Sequence, residues 1–296
     1  MIKYVDDFKD YEVLDCGDSE KIERFGKYIL RRPDPQAIWR PKNFKKYKVN
    51  AAYHRSKSGG GSWEFIDLPK KWTVSYELDK DVVMSFNLKP FAFKHTGIFP
   101  EQATNWRYIY NFCKENGASE LKVLNLFAYT GAATIAAAKG NAKVTHVDAA
   151  KGILTWAKEN AELSKIENDK IRWIVDDCKK FVEREIRRGN LYDGIIMDPP
   201  SYGRGPGGEV WKLEDSIYDF VDLSMKILKK KRSFFILNSY TTGLQAGVMD
   251  YIVRDLAKNN GIEGKTMAYE IGVKCSSTRL ILPEGNTVIL SNYVLT

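Results

Sequence analysis

Between Leu121 and Gly203 the chain places acidic residues where an apolar run stops and a turn begins. Asp148 closes KVTHVD, Asp176 and Asp177 close KIRWIVDD, and Asp198 closes YDGIIMD, followed at once by Pro199 and Pro200. A carboxylate at such a place is a pure acceptor, ready for hydroxyl or amino hydrogens. The two prolines fix φ and remove donors, so the Asp198 carboxylate and a nearby backbone carbonyl stand in a stiff frame. A frame of that kind can hold the N–H groups of a base or an amide.

The elements that must carry these groups follow from the pattern. LKVLNLF reads as a buried strand, AYTG as a glycine turn and AATIAAAKG as a small-residue helix. The sequence then repeats strand, turn and helix at spacings typical of βαβ units, with helical periodicity in GILTWAKENAELSKI, CKKFVEREIRR and LEDSIYDFVDLSMKILKK. SFFILNSY is a further strand, VMDYIVRDLAKN a further helix, and the end reads as two strands joined by LPEGN in a terminal antiparallel hairpin. Up to about Asn116 the grammar differs: alternating positions in WEFIDLPKKWTVSYELDKDVVMSFNLKP predict hairpins, and SKSGGGS predicts a flexible turn. The expected architecture is α/β, a mostly parallel sheet over residues 96–296 preceded by a smaller β-rich domain over residues 1–95. An open parallel sheet binds ligands outside its carboxyl strand ends, where the four acids fall.

A ligand with an amino acid end, a ribose and an adenine would match that order of groups. The first turn offers close backbone approach through Asn125, Phe127, Ala128, Tyr129, Thr130 and Gly131. Asp148, with Ala149 beside it, stands 17 residues beyond Gly131, the distance at which a βαβ unit places an acid on ribose hydroxyls. Asp176 or Asp177 then suits the adenine amino group. Dinucleotide-binding enzymes share the first two features, but NLFAYTGAA lacks the glycine pair of G-x-G-x-x-G, and a third acidic strand end followed by DPP departs from their pattern. The remaining alternative is an α/β domain whose acids only cap helices. Downstream of Asp198, Tyr202 is a candidate stacking partner, and Gly203, Gly205, Gly207 and Gly208 suggest a substrate loop.

Charge adds a second clue. Nine of the chain's 46 Lys and Arg residues, but only one of its 38 acids, fall between Arg31 and Gly61, so that segment alone carries +8 and the remainder is balanced. Trp39, Phe44, Tyr47 and Tyr53 are interleaved with Arg31, Arg32, Arg40, Lys42, Lys45, Lys46, Lys48, Arg55 and Lys57. Cations on phosphates with aromatics under bases make a nucleic-acid footprint; the other reading is a solvated loop packed by its own aromatics. A hydrophobic content of 44% and a charged content of 28% suit a soluble globular protein. No apolar run reaches the ~20 residues that span a bilayer, and the N-terminus has no secretory pattern. Cys16, Cys113, Cys178 and Cys275 form no close pair, and His54, His95 and His146 are dispersed. The expectation is a cytoplasmic protein without a metal site.

The block VLNLFAYTGAATIAAAKGNAKVTHVDAAKGILTWAKENAEL, with WIVDD and IIMDPPSYGRG after it, resembles the class I S-adenosylmethionine-dependent methyltransferases. More narrowly it is similar to the bacterial 23S ribosomal RNA base methyltransferase group, over about two-thirds of the chain from Lys94. The resemblance implies a Rossmann-like sheet, S-adenosylmethionine as methyl donor with S-adenosylhomocysteine as product, and an RNA substrate. It also implies that Phe99 and Gln102, in HTGIFPEQ, hold the methionine end of the cofactor. Relatives that make 5-methylcytosine use a cysteine nucleophile, and this chain has Ser201 and Thr241 where cysteines would be expected. Methylation of a base nitrogen is therefore the expected reaction. A protein or small-molecule substrate, or a non-catalytic RNA-binding module, are the competing readings.

Overall fold

The structure is a computed structural model and describes residues 1–56, 60–91, 94–117, 120–204 and 210–293. Cα packing divides the chain into two compact units: a β-rich one, Ile2–Thr104 with Ile271–Glu284, and an α/β one, Met1, Asn105–Glu270 and Gly285–Thr296. The β-rich unit contains β1 (Ile2–Lys3), β2 (Tyr11–Gly17), β3 (Glu20–Phe25), β4 (Tyr28–Pro33), β5 (Ala51–Arg55), β6 (Gly61–Phe65), β7 (Trp72–Asp79) and β8 (Val82–Leu88). Strands β2 to β6 form one five-stranded sheet in chain order, and β7 and β8 form a separate hairpin. Strands β4 and β5 run parallel, which forces the basic stretch between them to cross over the unit.

Charges are sealed into the β-rich unit. Glu23 is fully buried and accepts hydrogen bonds from Arg32 Nε and Nη2, at 2.7 and 2.8 Å, and from the Tyr11 hydroxyl at 2.7 Å. Burial alone would raise the Glu23 pKa, but Arg32 and Lys21 outweigh it and hold the carboxyl at about 2. Lys21, itself buried, pairs with Asp34 at 3.1 Å and with Glu284. Arg31 pairs with Glu20, so the two arginines that open the basic segment serve carboxylates of their own unit.

The α/β unit contains α1 (Ala103–Asn116), whose first two residues belong to the β-rich unit, then β9 (Lys122–Leu126), α2 (Ala132–Lys139), β10 (Lys143–Asp148), α3 (Lys151–Leu163), β11 (Ile171–Val175), α4 (Cys178–Arg188) and β12 (Gly194–Met197). The short strands β13 (Tyr202–Arg204) and β14 (Val210–Lys212) follow, then α5 (Leu213–Met225), β15 (Phe234–Ser239) and α6 (Ala246–Asn259). Strands β16 (Lys265–Lys274) and β17 (Ile281–Ser291) each pass from one unit into the other. The strand order is β1-β16-β17-β15-β12-β9-β10-β11. The five strands from β15 to β11 are parallel, and β17 is antiparallel to β15. Strand β12 begins on Gly194 because a Cβ there would sit 2.3 Å from the Phe234 ring. Alanines make α2 thin enough to lie close on the sheet, and Ile135, Ala136 and Ala137 are fully buried.

One boundary differs from the sequence expectation. LPEGN is not the turn of the last hairpin but lies inside β17, and the turn is Ser276–Leu280, where Arg279 adopts φ +59. Proline and glycine are tolerated in that strand because β15 pairs only with Asn286–Ser291, leaving Pro283 outside that ladder. Gly285 also gives room to the Tyr240 ring, which a Cβ would meet at 2.9 Å.

Arg32→Met should strand the buried Glu23 charge and destabilise the protein by about 3–5 kcal/mol. Lys9→Met breaks the exposed Lys9–Glu77 pair and should change stability by no more than ~1 kcal/mol. Denaturant unfolding of both variants checks the contrast; equal midpoints would refute it.

Candidate active site

The chain runs β9, β10, β11 in one direction along the sheet and then returns to place β12 on the other side of β9. The crevice outside the carboxyl ends of β9 and β12 is thus the switch point of the sheet. In register, Leu126 lies beside Val147 on one side and Met197 on the other. The turn after β9 and Asp198 after β12 therefore emerge side by side.

That turn has an unusual backbone. Phe127, Tyr129 and Gly131 have φ of +54, +50 and +89, and for two non-glycine residues this is a costly region. Its N–H groups are held individually. Tyr129 N–H donates to Asp148 Oδ2 at 2.9 Å, Phe127 N–H to Cys178 Sγ at 3.3 Å, and Ala128 N–H to the Val147 carbonyl at 3.1 Å. Asn160 Nδ2 donates to the Thr130 carbonyl at 2.9 Å. Beneath the turn, Asn125 Nδ2 donates to the Thr134 hydroxyl at 2.9 Å, and the same hydroxyl is hydrogen-bonded to His146 Nδ1 at 3.0 Å. His146 is fully buried against Trp173, and burial drives its pKa down to about 3, so the ring is neutral.

Asp148 ends β10, with each carboxylate oxygen accepting one backbone N–H, from Tyr129 and from Ala150, both at 2.9 Å. Burial raises its pKa, against the two N–H groups that lower it. Each oxygen keeps a further lone pair. Asp176 bonds the Asp177 N–H and pairs with Arg184. Asp177 caps α4, its Oδ1 accepting the Lys180 N–H at 2.9 Å.

On the β12 side, Asp198 is half-buried, Pro199 buried and Pro200 exposed. Trp211 Nε1–H donates to the Pro200 carbonyl at 2.7 Å. Its ring lies 5.6 Å from Phe127 and 5.7 Å from Phe220, which lie 5.7 Å from one another. This aromatic triad joins the first turn to the DPP segment. Tyr202 is 53% exposed and begins β13. Ser201 and Thr241 meet hydroxyl to hydroxyl at 2.5 Å. Two alcohols, with no sulfur between them, occupy the edge of the DPP segment.

Asn125, Phe127, Ala128, Tyr129, Thr130, Gly131, Asp148 and Asp198 are thus gathered at neighbouring strand ends, with Ala149 exposed beyond Asp148 and Asp176 and Asp177 one strand further out. Phe99 and Gln102 belong to the β-rich unit, where Pro100–Gln102 is a 3₁₀ turn, Phe99 packs on His95 and Gln102 is buried. Gly205, Gly207 and Gly208 lie outside the described residues. Sequence reasoning missed Cys178, Asn160, Thr134, His146 and Trp211 as supports, since each acts on a partner 9 to 51 residues away and no local pattern marks it.

A model of the S-adenosylmethionine-dependent methyltransferase family matches residues 75–211. The crystal structure of an S-adenosylmethionine-dependent methyltransferase from Agrobacterium tumefaciens is 33% identical, covers 99% of this chain and 94% of that one, and superposes with a TM-score of 0.90. The chain belongs to the S-adenosylmethionine-dependent methyltransferases. Among curated relatives, a ribosomal RNA large subunit methyltransferase K/L from Pseudoalteromonas translucida is 37% identical over 118 residues, 40% of this chain. Its counterpart from Colwellia psychrerythraea is 28% identical over 246 residues, 76% of this chain. The matches span only 16% and 32% of the lengths of those two proteins. A putative methyltransferase from Streptococcus mutans shares the fold, at 18% identity and a TM-score of 0.69 over 96% of this chain and 76% of that one.

A buried imidazole held neutral makes stability depend on pH. The native pKa of His146 lies below its unfolded value, so only the unfolded chain gains a proton as pH falls below ~6.5. His146 should therefore cost up to about 1.4 kcal/mol for each pH unit between there and ~3. His146→Gln keeps a hydrogen-bonding partner for Thr134 and should flatten this part of the slope. Urea unfolding at pH 7 and pH 5 tests it; identical slopes in the two proteins would refute the assignment.

Proposed function

We propose that the chain transfers the methyl group of S-adenosylmethionine to a nitrogen of a ribosomal RNA base. The observation that carries the choice of nitrogen is the Ser201–Thr241 hydroxyl pair beside Asp198-Pro199-Pro200. Methylation at carbon 5 of a pyrimidine needs a thiolate that adds to the ring and makes that carbon nucleophilic. The cysteines of the α/β unit are buried elsewhere, Cys113 in α1 and Cys178 at the start of α4, and burial pushes the Cys178 thiol pKa up. The ribosomal substrate is supported by the names of the curated relatives and by the exposed cations of the β-rich unit.

The donor set suits the cofactor. Asp148 accepts the two ribose hydroxyls on the lone pairs its N–H partners leave. Asp177 accepts the adenine amino group, since Asp176 is already neutralised by Arg184. The turn from Asn125 to Gly131 lines the path of the amino acid end, with Phe99 and Gln102 as further holders of the methionine moiety. When bound, S-adenosylmethionine supplies a methyl group already activated on a sulfonium sulfur. The chain's own task is then positioning, which can account for most of the rate. Trp211 occupies the Pro200 carbonyl, so the Asp198 carboxylate and the Pro199 carbonyl take the N–H groups of the base. That contact aims the nitrogen lone pair, and Asp198 receives the proton the nitrogen sheds. Tyr202 stacks on the base in this reading, supported by its exposure at the start of β13. In this reading residues 1–95 form an RNA-contacting domain and residues 96–296 the methyltransferase domain.

Labelled cofactor offered separately to ribosomal RNA, tRNA, protein and metabolite pools should label ribosomal RNA. A nuclease digest should then yield an N-methylated nucleoside. Label in protein, or 5-methylcytidine in the digest, would overturn the proposal. Asp148→Ala should weaken S-adenosylhomocysteine binding by about 1–3 kcal/mol, the loss of charged hydrogen bonds. Asp198→Ala should retain that binding and lose turnover. Calorimetry and a single-turnover assay separate the two roles; equal losses of affinity would contradict them.

A further inference from the structure

Strands β12 and β15 are parallel neighbours in the sheet, with Met197 level with Leu237. Their carboxyl ends therefore open side by side, and the segment after each is pinned by backbone bonds. After β15, the Thr241 N–H donates to the Ser239 hydroxyl at 3.1 Å, and the Thr241 carbonyl accepts the Leu244 N–H at 3.2 Å. After β12, the Ser201 carbonyl accepts the Leu213 N–H at 3.1 Å, next to the Trp211 bond to the Pro200 carbonyl. With both backbones held, the Ser201 and Thr241 hydroxyls meet at 2.5 Å across the gap between the two strand ends.

Each hydroxyl carries one hydrogen and two lone pairs. One hydrogen lies between the two oxygens, so the pair as a unit keeps one to give. Among the described residues neither hydroxyl has another partner. Ser201 is exposed and Thr241 half-buried. The pair thus offers a donor at the edge of a segment whose other groups, the Asp198 carboxylate and the Pro199 carbonyl, only accept. Those two acceptors grip the hydrogens of a single nitrogen. A base held at one atom can still turn about it, and turning carries the nitrogen lone pair off the line to the methyl group. Every base nitrogen that bears a hydrogen has an acceptor one carbon away, either a carbonyl oxygen or a ring nitrogen. A donor that takes this second atom stops the turning.

We propose that the Ser201–Thr241 pair donates its outward hydrogen to the acceptor beside the methylated nitrogen, so that the base is held at two atoms. It deepens, and rests on, the base-nitrogen reading proposed above. The competing role is a tie between two strand-end segments. Such a tie needs no outward hydrogen and no exposure, and both segments are already fixed by their own backbone bonds.

The test uses the full chain, labelled S-adenosylmethionine and an unmodified ribosomal RNA transcript, with the product read by nuclease digestion. Ser201→Ala combined with Thr241→Val removes both hydroxyls at little change of shape. It should lower kcat/KM for the RNA about 3- to 10-fold, the worth of one neutral hydrogen bond, mostly in kcat because orientation is what is lost. Each single variant keeps one hydroxyl able to donate and should lose less. Unchanged S-adenosylhomocysteine affinity shows that a variant has folded. The digest names the target base, and a second RNA carries there a deaza or deoxo analogue that lacks the neighbouring acceptor. The native protein should lose the same factor on that RNA, whereas the double variant should treat the two RNAs alike. This cycle between enzyme and substrate isolates the contact, and a tie between segments would not move it. If the native protein methylates a base nitrogen but the losses from variant and analogue simply multiply, the pair's role falls and the base-nitrogen reading stands. Indifference of the native protein to the analogue, or a double variant as fast as native, overturns the pair in the same way. If the native protein labels only protein, or yields 5-methylcytidine, both proposals fall.

Discussion

The hydrogen bond from the Tyr129 N–H to Asp148 Oδ2 couples two strand ends that the rest of the site takes as its reference. The turn after β9 holds two non-glycine residues at positive φ, a conformation that would relax without outside support. Asp148 supplies that support while keeping acceptor capacity for a ligand. Its burial works in both directions: it raises the cost of the charge and strengthens whatever bonds the charge makes. Cys178 and Asn160 hold the same turn from α4 and α3, so three separate elements agree on one backbone path.

The DPP segment is tied to this reference through packing. Trp211 bonds the Pro200 carbonyl and packs on Phe127, the first residue of the strained turn. A shift in either segment would have to break an aromatic triad and a hydrogen bond together. Precision of this kind suits a reaction in which the donor is already activated and geometry is what remains to be supplied. The Ser201–Thr241 pair beside it is a chemical statement of its own. Alcohols at that edge can orient a substrate, and they lack the nucleophilicity of a thiolate.

In the β-rich unit the basic segment divides into two uses. Arg31 and Arg32 are committed to Glu20 and Glu23. Arg32 and Lys21 hold a buried ionic cluster whose members satisfy one another. The later lysines remain in solvent. A charge count alone treats these groups as equal, although their free energies of exposure differ widely.

Much of the α/β unit was legible in the primary chain because its signals are local. Apolar runs of strand length, the glycine turn and the position of each acid at a strand end all act within a few residues. The four acids and the DPP segment could therefore be found without coordinates. The last hairpin misled, since LPEGN carries turn residues and yet continues β17; a neighbouring strand and the Tyr240 ring decide its path. Folding alone revealed the supports at Cys178, Asn160, His146 and Trp211, and the ion pair that ties Asp176 to Arg184. The sequence by itself determined which chemical groups stand at the strand ends, because period and turn chemistry are properties of adjacent residues. Tertiary structure decided which of those groups remain available, because hydrogen bonds and ion pairs are exclusive and their partners lie far away along the chain.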